Sequence, residues 1–323
     1  MRFEDVQKKV SKPWKSCALV QGVRISVALL VAATLLCGCS GKKGEKSISA
    51  AWKQYQLPFN HEVFDLKQTG PKDGWAVGER GLILHFNGSA WEQVESPVAV
   101  PLFGVAFPEP SHGWAVGAEG TILERKNDVW SEVPKPDKWN IMAVAFTSPD
   151  NGWAVGERGF IAHYDGNEWK KVDSPLKESL NRVVFNNPRD GWAVGNQGLI
   201  LHYDGNAWKA VSSPVKRTLY GVAFRTPSEG WAVGEKGTIL RYDGTTWTKS
   251  ESPVERTFLS VAFSNGTDGY IVGRGGELLL LRDGRWKPGT DFLTRKILYV
   301  VDIAPDGNPW VVATTRAIFK KQN

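Results

Sequence analysis

The five histidines, His61, His85, His112, His163 and His202, are the side chains best suited to hold a metal or carry a proton near neutral pH. His85, His163 and His202 stand at multiples of 39 residues from one another, and the same slot holds Glu124, Arg241 and Leu280 elsewhere. A slot that accepts Leu reads as a solvated strand face, not a metal site. The pairs Asp165-Gly166, Asp204-Gly205 and Asp243-Gly244 could offer carboxylates to calcium. Asp-Gly, however, supplies the positive φ of a hairpin turn, and no DxDxDG loop surrounds any of them. No P-loop, GxSxG or HExxH motif is present. Sialidase-type hydrolysis would need an arginine cluster, a Tyr nucleophile with a partner Glu, and an acid Asp. Tyr164, Tyr203 and Tyr242 fall instead at repeat positions, and the Arg-Ile-Pro signature is missing. The expectation is a protein that is not an enzyme, with no catalytic residue, cofactor or metal.

The remaining reactive side chains are three cysteines, Cys17, Cys37 and Cys39. The run 25–36 is unbroken apolar sequence behind a basic flank. Twelve helical residues rise about 18 Å, short of a hydrocarbon core of about 30 Å, which favours a signal-peptide core over a spanning helix. Leu36-Cys37-Gly38-Cys39-Ser40 resembles a bacterial lipobox, with Cys39 as the lipidated new N-terminus. Cleavage there would leave no thiol in the folded part, which suits an oxidising compartment. It would also exclude thiol catalysis and Cys-ligated metals. The domains expected are a lipoprotein signal peptide 1–38, a flexible tether 39–50 and a folded unit 51–323. By resemblance to Gram-negative lipoproteins, Ser40 points to the outer membrane, facing the periplasm.

The formal charge of +6 belongs to the leader and tether. Residues 51–323 hold 31 basic and 31 acidic residues. A nucleic-acid binder would carry its charge on the folded domain, so nucleic acid is excluded as a partner.

The elements that position these residues follow from an internal repeat. Gly-Trp-Ala-Val-Gly occurs at 74–78, 113–117, 152–156, 191–195 and 230–234, in steps of 39 residues. Gly269-Tyr270-Ile271-Val272-Gly273 continues it, and Pro309-Trp310-Val311-Val312 follows slipped by one. A second series places Trp52, Trp91, Trp130, Trp169, Trp208, Trp247 and Trp286 in the same period. Of 15 Trp, only Trp14 and Trp139 stand outside both series. In the unit 141–179, the spacing predicts strands over 141–146, 152–156, 160–164 and 169–172. In the first of these, Ala143 and Ala145 should oppose Met142, Val144 and Phe146. The turns are expected at 147–151, 157–159 and 165–167.

Four short strands per unit make one antiparallel propeller blade. The last unit, from Ile297, lacks a fourth strand, and 51–56 is a strand without a unit. Each fills the other's vacancy. The fold class expected is therefore all-β: a seven-bladed β-propeller closed by an N-terminal strand. The recurrent Trp should fill the wedges between blades.

The unit GWAVGxxGxIxxYDGxxW resembles the BNR-like, Asp-box-related repeats of the photosystem II stability/assembly factor family, over about residues 51–323. The resemblance implies a lumenal or periplasmic seven-bladed propeller, sometimes lipidated, acting as a non-catalytic assembly scaffold that binds other proteins. The full Asp-box, Ser/Thr-x-Asp-x-Gly-x-x-Trp, is only partly met, with Asn87 and Lys126 at positions equivalent to Asp165.

Cations recur in phase where fourth strands lead to the next blade: Lys138, Lys177 and Lys216, then Arg217, Arg256 and Arg295, with Lys296 beside them. The 2–3 hairpins carry Arg80, Arg158, Lys236 and Arg274, with Glu79, Glu119, Glu157 and Glu235 interleaved. These segments should share one end face. Trp139, in the slot of Arg217, should be exposed among them as an interaction hot spot.

The function expected is a lipid-anchored, non-catalytic protein-binding scaffold, monomeric, whose partners are proteins, with acidic segments suited to the cations. The alternatives are an envelope-assembly lipoprotein unrelated to photosynthesis, and a carbohydrate-binding or sialidase-like module.

Overall fold

A computed structural model describes residues 49–58, 60–264, 268–291, 293–314 and 316–322. The expected signal peptide, Cys39 and the expected tether as far as residue 48 lie outside the described residues. The rest forms seven four-stranded antiparallel sheets. In chain order, blades 1 to 6 span 63–94, 102–132, 141–172, 180–210, 219–249 and 258–288. Blade 7 takes three strands from 298–321, and its fourth is Trp52–Gln56. That strand lies antiparallel to Ala317–Lys321, with Trp52 opposite Lys321 and Gln56 opposite Ala317. Beyond the ladder, the Gln322 amide donates to the Ala51 carbonyl at 2.7 Å. The Trp52 indole donates to Asp291 Oδ2 at 2.9 Å. Ring closure by the N-terminal strand is as expected from the phase of the repeat.

Blade 3 shows the unit. Its strands are Ile141–Ser148, Asn151–Gly156, Ile161–Tyr164 and Trp169–Val172, with a 3-10 turn at Glu157–Gly159. The expected alternation along 141–146 is broken. Ile141 pairs with Gly156 but Ala143 pairs with Val155, so Met142 is an extra residue in a β-bulge. The same bulge opens the first strand of every blade, at Phe64, Phe103, Asn181, Tyr220, Leu259 and Tyr299.

The 3-10 turn depends on one backbone position. Gly159 has φ +71°, and a Cβ there would lie 2.1 Å from the Leu176 carbonyl oxygen. Only Gly combines that conformation with that approach. The turn is thereby pressed against the connection leading to the next blade.

The core is a series of inter-blade clusters, each mixing neighbouring blades. Trp114 of blade 2 stacks on Phe146 of blade 3 with centroids 5.5 Å apart, and meets Trp169 edge-on at the same distance. Trp153 repeats this against Phe185 and Trp208. The rings fill the wedge that widens with radius, so neither blade buries its apolar face alone.

An ion pair between a half-buried Arg and a buried Asp crosses the axis. Arg182 of blade 4 reaches Asp65 of blade 1 at 3.3 Å, and Asp65 Oδ2 also accepts the Val105 amide at 3.1 Å. Burial pushes the Asp65 carboxyl up, and Arg182 and the Val105 N–H oppose this by stabilising the charged form.

Candidate functional site: a cationic end face

Each 3-10 turn sits between two blade-to-blade connections. The Glu157 amide donates to the Asn140 carbonyl at 2.9 Å, and Gly159 abuts Leu176 and Lys177 of the next connection. In blade 5, the Gly237 amide donates to the Arg256 carbonyl at 2.7 Å. Turns and connections therefore alternate around one end face, and the cations expected there share it. Arg80, Lys138, Arg158, Lys177, Lys216, Arg217, Arg256, Arg274 and Arg295 are all exposed.

Three of the four interleaved acids behave differently, whereas Glu119 is exposed like the cations. Glu79, Glu157 and Glu235 are half-buried and turn inward. Glu79 Oε2 accepts the Glu62 amide at 3.1 Å, Glu157 Oε1 accepts Asn140 Nδ2 at 3.2 Å, and Glu235 Oε2 accepts the Thr218 amide at 3.2 Å. Their carboxylates hold the connections in place, while the cations point to water. Some cations have partners. Arg217 Nη1 donates to the Lys236 carbonyl at 3.2 Å, and Arg256 Nε pairs with Glu277 at 2.9 Å. Among the described residues, the side chains of Arg80, Lys177, Lys216 and Arg295 make neither a hydrogen bond nor an ion pair. A groove of about 350 Å³ beside Lys216 and Arg217 also holds Lys249, with no acid in its lining.

Trp139 corrects one expectation. It is half-buried, not exposed, because the Arg158 guanidinium lies 3.9 Å from its ring centroid. Lys138 Nζ is 5.5 Å from the same centroid. The ring is a platform that fixes Arg158.

The histidine slot also reads differently in three dimensions. It is not a bare solvated face: a cross-strand partner waits 12 residues earlier in each case. His85 meets Asp73 at 2.7 Å, His163 meets Asn151 at 2.7 Å, and His202 meets Asp190 at 2.8 Å. Blade 2 inverts the pair, with His112 against Glu124 at 2.8 Å, and blade 5 uses Arg241 against Glu229 at 2.9 Å. The rings of His85 and His202 stack on Trp75 and Trp192. These pairs occur one to a blade, and the described residues contain no group of three or more His, Cys, Asp or Glu able to hold a metal.

The Asp-Gly pairs are turn caps. Asp165 Oδ1 accepts the amides of Asn167 and Glu168 at 3.0 and 3.1 Å, and Oδ2 accepts Lys170 Nζ at 2.8 Å. These bonds hold its carboxyl well below the usual range. Asn87 caps Ser89 and Ala90 in the same way at 3.0 Å, so the departure from the Asp-box keeps the turn. Lys126 instead leads into a two-residue turn, with Asn127 and Asp128 both at positive φ.

Glu62 escaped the sequence reading. It stands between Glu79 and Arg316 at the inner edge of the face. Burial, then repulsion from Glu79, push its carboxyl up to about 7, against the pull of Arg316.

A family model described as photosynthesis system II assembly factor YCF48 matches residues 125–212 and 203–287. A solved structure of YCF48 bound to a D1 peptide is 18% identical, with a TM-score of 0.73, over 85% of this chain and 96% of that one. YCF48 from Cyanidioschyzon merolae is 18% identical, with a TM-score of 0.70, over 84% and 99%. A streptogramin B lyase has a TM-score of 0.75 at 11% identity, over 83% and 96%. At such identities these likenesses show the fold alone. No curated protein is a significant match in sequence.

Proposed function

This chain belongs to the photosynthesis system II assembly factor YCF48 family, and we propose that it is a non-catalytic, protein-binding assembly factor whose cationic end face captures an acidic segment of its partner. One observation carries the reading. On that face Glu79, Glu157 and Glu235 are turned inward to hold the connections, while Arg80, Lys177, Lys216 and Arg295 are exposed and have no partner among the described residues. Unmet positive charge on a rigid rim steers and orients an anionic partner. A relative of the same fold is bound to a D1 peptide, which supports a peptide segment as the thing recognised. The titratable groups here serve as single pairs and caps, so binding and display are the mechanism. Cys39 is read as the lipid anchor that holds the propeller at the outer membrane, facing the periplasm, as a monomer.

The test is a Lys177→Glu, Lys216→Glu, Arg295→Glu triple variant used as bait in crosslinking and affinity purification from native membranes. These three side chains serve no internal bond, so the melting temperature should hold while partner recovery is lost. Undiminished recovery with an intact fold removes this face as the binding surface.

A further inference from the structure

Resting on the reading of this face as the partner surface, we propose that the mouth of the axis at its centre is a cup for one bulky apolar side chain carried by the acidic partner segment. In all seven blades the bulge takes one residue out of the ladder near the start of the innermost strand. A bulge re-aims its side chain. Here the rings meet across blades: Phe64 lies 5.8 Å from Phe103 and 5.9 Å from Tyr299, joining blades 7, 1 and 2. The other blades supply Met142, Tyr220 and Leu259, and only Asn181 of blade 4 is fully polar.

All seven are half-buried rather than buried. The Asp65–Arg182 pair, each member next to a bulge residue, joins blades 1 and 4 across the axis. Charge surrounds them: Glu62, Glu79 and Arg274 act on Tyr299, Glu235 and Arg274 act on Tyr220, and the exposed cations stand on the turns and connections outside. A half-wet apolar centre within a charged rim marks a contact surface, because anchors sit centrally where water is most fully expelled. The excess of cations outside sets the sign of the segment that brings the anchor.

Asn181 also provides the control, since it shows that the bulge position accepts Asn. Two probes are used at low salt: an eight-residue peptide with four Asp and one central Phe, and its Phe→Ala counterpart. Fluorescence anisotropy reads affinity for the wild type, Phe103→Asn, and the triple charge variant described above. The Phe peptide should bind the wild type about tenfold more tightly than the Ala peptide. Phe103→Asn should erase that difference and leave the Ala peptide unchanged, while the charge variant weakens both. Equal binding of both peptides that still depends on the cations overturns the cup and leaves the face. A Phe preference that survives Phe103→Asn also overturns the cup. Failure of both peptides to bind the wild type overturns the cup and the acidic-segment reading together.

Discussion

Gln68→Met should stabilise the propeller. Gln68 fills the slot that holds Phe107, Phe146, Phe185, Phe224 and Phe263 in blades 2 to 6. It is 2% exposed, and neither Nε2 nor Oε1 finds a hydrogen-bond partner. Its amide packs over Gly74, where a Cβ would lie 2.5 Å from Oε1. Leaving a buried amide unsatisfied costs about 1–3 kcal/mol. Met matches the length and flexibility of Gln and removes both orphan atoms, so a gain of about 2 kcal/mol is expected. The backbone bond from the Gln68 amide to Asp302 Oδ2, at 2.9 Å, is untouched. For a domain of this size, about 2 kcal/mol corresponds to a rise of roughly 4 °C in melting temperature. Calorimetry and urea denaturation followed by indole fluorescence should agree on the sign. The reciprocal Phe146→Gln should cost about 3–5 kcal/mol, because it deletes a stacked ring and creates the same orphan. If Gln68→Met leaves stability unchanged or lowers it, the amide has a partner and the orphan argument fails.

Glu62→Gln should leave stability unchanged below about pH 4.5 and raise it above pH 7. The folded carboxyl is raised from 4.5 to about 7, so its ionisation opposes folding as pH rises through that window. The full shift corresponds to roughly 3 kcal/mol, and solvent screening of this half-exposed group reduces it to about 1–2. Denaturation curves from pH 4 to 8 check both the sign and the window. Gly159→Ala should cost at least about 2–3 kcal/mol, since it meets both a left-handed backbone and the Leu176 carbonyl; urea midpoints measure it. Cys39→Ser should move the protein from the membrane to the soluble fraction of fractionated cells without changing its melting temperature; retention on the membrane would sink the anchor.

The propeller was legible because its information is redundant. Two Trp series in one period fix the blade, and the mismatch between Trp52 and the incomplete last unit fixes the closure. The cationic face was legible because it follows from phase alone. What escaped depends on register or on pairs of distant residues. The bulge at Met142 adds a residue that no hydrophobic pattern marks, since Ile141, Ala143 and Val144 are all buried around it. The histidine pairs lie 12 residues apart across a hairpin. The exchange of His112 and Glu124 for Asp73 and His85 was the available signal. Asp65 and Arg182 belong to blades 1 and 4, and nothing local links them. Trp139 appeared exposed from its slot because sequence position does not tell which cation lies over a ring.

The strand Trp52–Gln56 also imposes a schedule. Among the described strands it leaves the ribosome first, and its partner Ala317–Lys321 leaves last, roughly 260 residues later. At about 5–20 residues per second, that separation is about 15–50 s during which six blades can form and the seventh cannot. Throughout that interval the first-made strand has no ladder to join. Its exposed Lys53, Gln54 and Gln56 give it a polar outer row that discourages pairing with strangers. The ring is thus made whole only when that late strand arrives, and without it two edges stand open.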